Sequence, residues 1–362
     1  AERAMQAVAR AEANQRALEA SRTAMTLTES ALGDAVELMQ QSRELLLSAG
    51  NASFDSGQRQ AITQQLRGLH EQLLQVANRG DGTGGYLFGR QNSVETPFED
   101  TADPVDASRV PVVSAQATSV RRVAAADEPM PLSLDGQEAW MLADTGNGAF
   151  ETRANAGNTG TGWVDAGSAA QQAPINAQYE VRFAVSGGVT TYEVYRDGGP
   201  VPSNSGTYRS GTAIDLDPGR DLRLTISGQP ADGDRFEAVS STPTLSVFAA
   251  LKNAIDLLED PQADNTKVTQ AVQSGLRDID QSVANLGAQR ADAGGWLNRL
   301  DNIEQRLGGQ KLQSQTERST AEDLDMIDAV SEFSNKQSSY QAALQAYASV
   351  QKLSLFQYLN GG

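Results

Sequence analysis

The 362-residue chain has no cysteine and only one histidine, His70. Without cysteine there are no disulfides, no thiol nucleophile and no Cys-based metal centre. A single histidine has no imidazole partner with which to hold zinc. Aromatic residues make up 6% of the chain, sparse for a thick enzyme core. Basic residues are also few: 29 Lys and Arg stand against 46 Asp and Glu, a net charge of −17. That balance argues against nucleic acid or an anionic membrane surface as a partner. No apolar run approaches 18 residues, so the sequence predicts no membrane-spanning helix. The start of the chain has none of the features of a cleaved signal peptide. The Asp-x-Asp-x-Asp-Gly spacing of a calcium loop is absent, as are the nucleophile elbow and Ser-x-x-Lys motifs. The sequence therefore predicts no catalytic site, no cofactor and no bound metal.

Helical periodicity is abundant. In the last stretch, 323–359, positions 326, 330, 333, 337, 340, 344, 347, 351, 354 and 358 share one helix face. Seven of these ten are apolar or aromatic, among them Met326, Val330, Phe333, Tyr340, Leu344, Tyr347 and Tyr358. A helix of about 37 residues would run roughly 55 Å, longer than an ordinary globular helix and suited to a coiled coil. The first 49 residues follow the same four-three rhythm through Leu18, Met25, Leu32, Met39 and Leu46, with Glu29 and Arg43 as polar interruptions that fix register. This helix is under way at Ala1 without a cap, so a longer parent is expected, whose missing segment would pair with Met326–Leu359 in an assembly. Gly50 suits a helix stop. A second helix, 56–78, carries Ile62, Leu66, Leu69, Leu73 and Val76 on one face and predicts an antiparallel hairpin with the first.

The segment 79–98 opens with four glycines in the six residues 80–85. It resembles a phosphate loop only superficially, because a helix precedes it and no lysine follows. The Arg79-Gly80-Asp81 triplet is too short to specify an adhesion site. The expected structure is a tight turn presenting Tyr86, Leu87 and Phe88 as an apolar knuckle, packed on its own bundle or on a neighbouring subunit.

From about residue 101 the helical rhythm stops. Tyr179, Val181, Phe183 and Val185 alternate with polar residues, Ser186-Gly187-Gly188 turns the chain, and Val189–Tyr195 returns, so a hairpin is predicted. Leu222, Leu224 and Ile226 mark another strand, and Phe236–Val239 a further one. Residues 144–170 read as loop. After Pro243 the helices return, through Leu245–Leu258, then 266–309 with a weak point at Gly294-Gly295, then the terminal helix. The expected fold class is α+β: an elongated helical bundle or coiled coil formed from both ends of the chain, residues 1–100 and 243–362, with an inserted all-β domain at 101–242.

This order resembles flagellin and its relatives in the bacterial flagellum. Thr28-Glu29-Ser30-Ala31-Leu32, Arg43-Glu44-Leu45 and Ala49-Gly50-Asn51 look like the first helical hairpin of that family. Gly85-Tyr86-Leu87-Phe88-Gly89 with Pro97-Phe98, and the ending Leu353-Ser354-Leu355-Phe356-Gln357-Tyr358-Leu359, are similar to the hook-associated proteins of the hook–filament junction. Residues 226–236 resemble a motif in the inserted lobes of several hook-associated proteins. Arg90 departs from the family, which usually has a glycine there. The resemblance implies a structural subunit of the extracellular flagellum, exported unfolded by the flagellar type III apparatus, on which flagellin polymerises. It implies as partners other copies of the chain in a ring, the first hook–filament junction protein (FlgK), flagellin and a flagellar export chaperone. Expected contact residues are Tyr86, Leu87, Phe88, Tyr340, Leu344, Tyr347, Val350, Leu353, Leu355 and Phe356. Alternatives are a flagellin filament subunit and a surface adhesin using the β domain. A zinc peptidase in the lobe is excluded by the absence of histidine there.

Overall fold

The computed structural model describes residues 2–50, 56–89, 96–101, 112–115, 130–171, 173–260 and 265–359. It begins with α1 (Glu2–Ala49) and α2 (Ser56–Ala77) and ends with α4 (Val247–Glu259) and α5 (Asn265–Leu359). Between them lie β1 (Phe98–Thr101), β2 (Val112–Ala115), the short α3 (Gly136–Trp140), and β3 to β13. The α+β class is as expected, helical at both ends with a β domain inserted. The chain divides into two compact units. The larger draws on Ala20–Ala124 and Pro129–Arg299, the smaller on Ala1–Glu19 and Leu300–Gly362.

In the larger unit, α1 buries Met25, Leu32, Met39 and Leu46, and α5 buries Val272, Ile279, Leu286 and Ala293. Both sets recur every seven residues, the coiled-coil spacing. The polar residues beside the α1 stripe find partners on α5: Arg43 pairs with Asp280 at 2.7 Å and Glu29 with Arg290 at 2.6 Å. These pairs are half-exposed and worth little energy, but each fits only one register. Where α5 crosses α1 closely, Gly275 makes room: a Cβ there would lie 2.6 Å from a Leu46 methyl. In the smaller unit, α1 buries Ala11, Ala17 and Leu18, and α5 buries Leu300 and Ile303. There Lys311 of α5 donates to Gln15 of α1 at 3.1 Å.

The five apolar residues expected on the face of α2 are all buried. α2 packs on α4, whose N-cap Ser246 accepts from the Ala249 N–H. Arg67 of α2 makes a two-pronged contact with Glu259 of α4 at 3.1 and 2.6 Å.

The inserted domain has a five-stranded antiparallel sheet in the order β4 (Phe150–Ala154), β12 (Arg235–Ser240), β7 (Tyr179–Ser186), β8 (Val189–Arg196), β9 (Asn204–Thr207). A second sheet pairs β10 (Ala213–Asp217) with β11 (Leu222–Ser227), which also carries β5 (Trp163–Val164) and β6 (Ser168–Ala169). Two further antiparallel pairs are β1 on β2 and β13 (Pro243–Leu245) on β3 (Ala143–Asp144). Alternate residues from both main sheets, including Tyr179, Val181, Phe183, Leu224, Ile226 and Phe236, form one core. The expected 179–195 hairpin is present, with Val181 opposite Val194.

Three expectations are corrected. Residues 144–170 are not plain loop: β4, β5 and β6 lie there. Phe150 and Thr152 of β4 face inward, but β5 and β6 have two residues each, too few to show alternation. Second, α5 does not stop at Gly308-Gly309; it is one helix of 95 residues. Glycine lowers helix propensity by about 1 kcal/mol without forbidding the helical conformation, and no proline intervenes. Third, the helix expected from Leu245 begins at Val247, because Leu245 is paired in β13; the short α3, held by Asp135 at its N-cap, is an additional element. Arg90, Val110 and Pro111 lie outside the described residues.

The lobe is fastened to α5 by two side chains one heptad apart. Gln270 Oε1 accepts from the Val164 N–H at 2.9 Å, and buried Arg277 donates to the Thr152 carbonyl at 2.9 Å. Inside the lobe, buried Asp234 accepts from the backbone N–H groups of Thr159, Gly160 and Ala231 at 2.8, 3.1 and 2.8 Å.

Candidate assembly surfaces

The Gly-rich turn after α2 is built around Asp81. One of its carboxylate oxygens accepts from the Thr83 N–H, the Thr83 hydroxyl and the Gly85 N–H, at 2.8, 2.8 and 3.0 Å. Gly82 and Gly84 have φ of +79° and +95°, the region where glycine is favoured. The turn closes as the Leu87 N–H donates to the Arg79 carbonyl. Arg79 pairs with Asp34 of α1 at 2.6 Å. Both charged members of the Arg-Gly-Asp triplet are thus engaged in this chain's own structure.

The turn does not project the knuckle. Leu87 and Phe88 are wholly buried within this chain, and only Tyr86 is half-exposed. The Phe88 ring meets Trp140 of α3 edge-on at 5.4 Å, and Trp140 stacks on Phe248 of α4 at 5.6 Å. Phe98 and His70 complete the cluster, each against Phe248. Gly136 admits Phe88, since a Cβ there would sit 2.7 Å from the Phe88 carbonyl oxygen. As surface contacts, Leu87 and Phe88 are therefore corrected. The partner ring, Trp140, lies 52 residues downstream, where no periodicity points to it.

α5 behaves oppositely. Met326, Ile327, Val330, Phe333, Tyr340, Leu344, Tyr347 and Val350 are eight large apolar side chains, each between 52% and 69% exposed. Tyr340, Leu344, Tyr347 and Val350 are thus accessible, as a contact role requires. Leu353, Leu355 and Phe356 lie on the same helix, their side chains outside the described residues. Ile327 was missed because it stands one residue off the four-three seam, although on a helix that places it at the edge of the same stripe. Leaving this much apolar surface in water is costly, at about 25 cal/mol per Å². Contiguous patches of this kind mark interaction sites.

An open groove of about 500 Å³ runs between α1 and α2, lined by Leu38, Gln41, Gln72 and Val76 with the Asp34–Arg79 pair. Its other carboxylate, Glu37, accepts from Gln41 at 3.4 Å. Among the described residues there is no group of three or more His, Asp or Glu arranged to hold a metal, and no helix is long and apolar enough to cross a membrane.

Comparisons with known proteins agree with this geometry. Residues 1–93 match the bacterial flagellin N-terminal helical region, and residues 276–359 the bacterial flagellin C-terminal helical region. Flagellar hook-associated protein 3 of Escherichia coli strain K12 is 21% identical over 338 residues, covering 92% of this chain and 76% of that protein. The crystal structure of FlgL from Xanthomonas campestris is 29% identical and superposes with a TM-score of 0.72, covering 88% of this chain and 100% of that one. The flagellar junction protein FlgL from Legionella pneumophila is 25% identical with a TM-score of 0.71, covering 83% of this chain and 99% of that one.

Proposed function

The chain belongs to the flagellin family, as a flagellar hook-associated protein, and from this premise we propose that it is the subunit of the hook–filament junction on which flagellin polymerises. The observation that carries the reading is the apolar stripe of α5, exposed along Met326–Val350 in the single chain. Copies of the chain contact one another laterally in a ring. The face toward the hook meets the first junction protein, FlgK, and the opposite face meets flagellin. The helical segments 1–100 and 243–362 perform the assembly, and the inserted domain 101–242 is a lobe beside them. Before assembly the subunit leaves the cell unfolded through the flagellar type III apparatus, with a chaperone covering the α5 stripe at Tyr347, Val350, Leu353, Leu355 and Phe356. A chain without cysteine suits that route, since no disulfide can close in transit. Of the expected contact set, Tyr86 is kept as a minor surface element.

Deletion of the gene in its own bacterium tests the reading. Electron microscopy should show hooks without filaments, with flagellin shed into the medium and filaments restored by a plasmid-borne copy. Normal filaments on the deletion strain would remove the platform role.

A further inference from the structure

His70 is the chain's one histidine, and assembly gives it no task. It lies on α2 with 2% of its surface exposed, its ring edge-on to Phe248 of α4 at 6.1 Å. Its Nε2 is buried without a hydrogen-bond partner. The charges that act on it are two cations, Lys252 on α4 and Arg67 on α2, whose own partners are Asp256 and Glu259 of α4. Both acids are already engaged, Glu259 by Arg67 and Asp256 by Lys252. An imidazolium formed here would have two cations nearby and no carboxylate of its own. Phe248, its neighbour, also supports Trp140 and Phe98, and Trp140 in turn packs on Phe88. A movement of α4 away from α2 therefore reaches the Gly-rich turn that carries Phe88.

We propose that His70 is a proton-operated latch: neutral, it seals α2 against α4; protonated, it releases α4 and with it the aromatic cluster that anchors the turn at 79–89. The device is independent of where the subunit sits in the flagellum. Burial first, then Lys252 and Arg67, push the imidazole down from 6.5 to about 4, so the latch holds at neutral pH and yields only in acid.

The full-length chain allows a direct test, because one histidine gives one set of imidazole NMR signals. With Trp163 and Trp296 replaced by Phe, Trp140 alone reports on the cluster by fluorescence. As pH is lowered from 7 toward 3.5, His70 should stay neutral well below its ordinary range. Its protonation should coincide with a red shift of Trp140 emission and loss of amide protection in α4. In His70→Gln, which cannot charge, the Trp140 transition should move down by about one pH unit. His70→Phe provides the same readout if the glutamine packs poorly. Protonation near pH 6.5 with Trp140 unmoved would overturn the proposal. So would an acid midpoint identical in the parent chain and in whichever variant is folded at neutral pH.

Discussion

Replacing Tyr340 and Tyr347 together by aspartate separates folding from assembly. Both side chains lie one heptad apart on α5, 68% and 64% exposed, and the bond from Gln351 to the Tyr347 hydroxyl is itself exposed, so neither adds much to the isolated chain. Exposed substitutions of this kind change stability by less than about 0.5 kcal/mol each, and Tyr and Asp have similar helix propensities. In an assembled contact the arithmetic changes. Burying a large side chain is worth about 1.5–3 kcal/mol, so losing two costs about 3–6 kcal/mol per subunit, a factor of roughly 10² to 10⁴ in association. Desolvating two carboxylates raises that further. The purified variant should match the parent in circular dichroism and urea midpoint. In cells it should leave bare hooks and non-motile bacteria, whereas Tyr340→Phe with Tyr347→Phe should swim normally. Full motility of the double aspartate variant would refute the claim that this stripe is an assembly surface.

Other positions test the internal supports. Asp234→Asn presents an N–H where the N–H groups of Gly160 and Ala231 already point. It should destabilise the lobe by about 2–4 kcal/mol, nearly as much as Asp234→Ala, read from Trp163 fluorescence in urea. Gly146 has φ of +71°, and a Cβ there would lie 2.0 Å from the Phe150 carbonyl oxygen. Gly146→Ala should therefore cost more than about 2 kcal/mol, while the heptad helices keep their ellipticity. His70 has a folded-state value below its unfolded one, so its contribution is intact above pH 6.5 and lost as pH falls toward 4. Roughly 2.5 units at about 1.36 kcal/mol each give about 3 kcal/mol, a loss that a pH series of urea melts should show and His70→Gln should lack. Asp278 runs the other way. Burial pushes its carboxyl up against the pull of Arg277, so its contribution is largest at low pH and declines as pH rises through the raised value. Arg277→Leu should steepen that decline.

The sequence exposed whatever repeats. Leu18, Met25, Leu32, Met39 and Leu46 are seven apart and all buried, because a helix facing another helix must place an apolar side chain there at each repeat. The 179–195 hairpin was legible for the same reason at a period of two. Features built from single contacts were not legible. β5 and β6 are held by pairing with β11 and by loop hydrogen bonds such as that from the Gly167 N–H to Asp165, and none of these leaves a pattern. The inward turn of Phe88 depends on Trp140 and, through it, Phe248, rings that meet only after the chain has folded. Continuity of α5 through Gly308-Gly309 was hidden because glycine weakens a helix without ending it. The apolar stripe of α5 was visible as a pattern, but whether the chain covers it was not. A stripe that packs internally and one left bare have the same period.

Gold-labelled antibody raised against the inserted lobe, applied to intact flagella of the parent bacterium, tests the central claim most directly. A single band of label at the border between hook and filament is the predicted result. Label distributed along the filament would contradict it and make the chain a filament subunit.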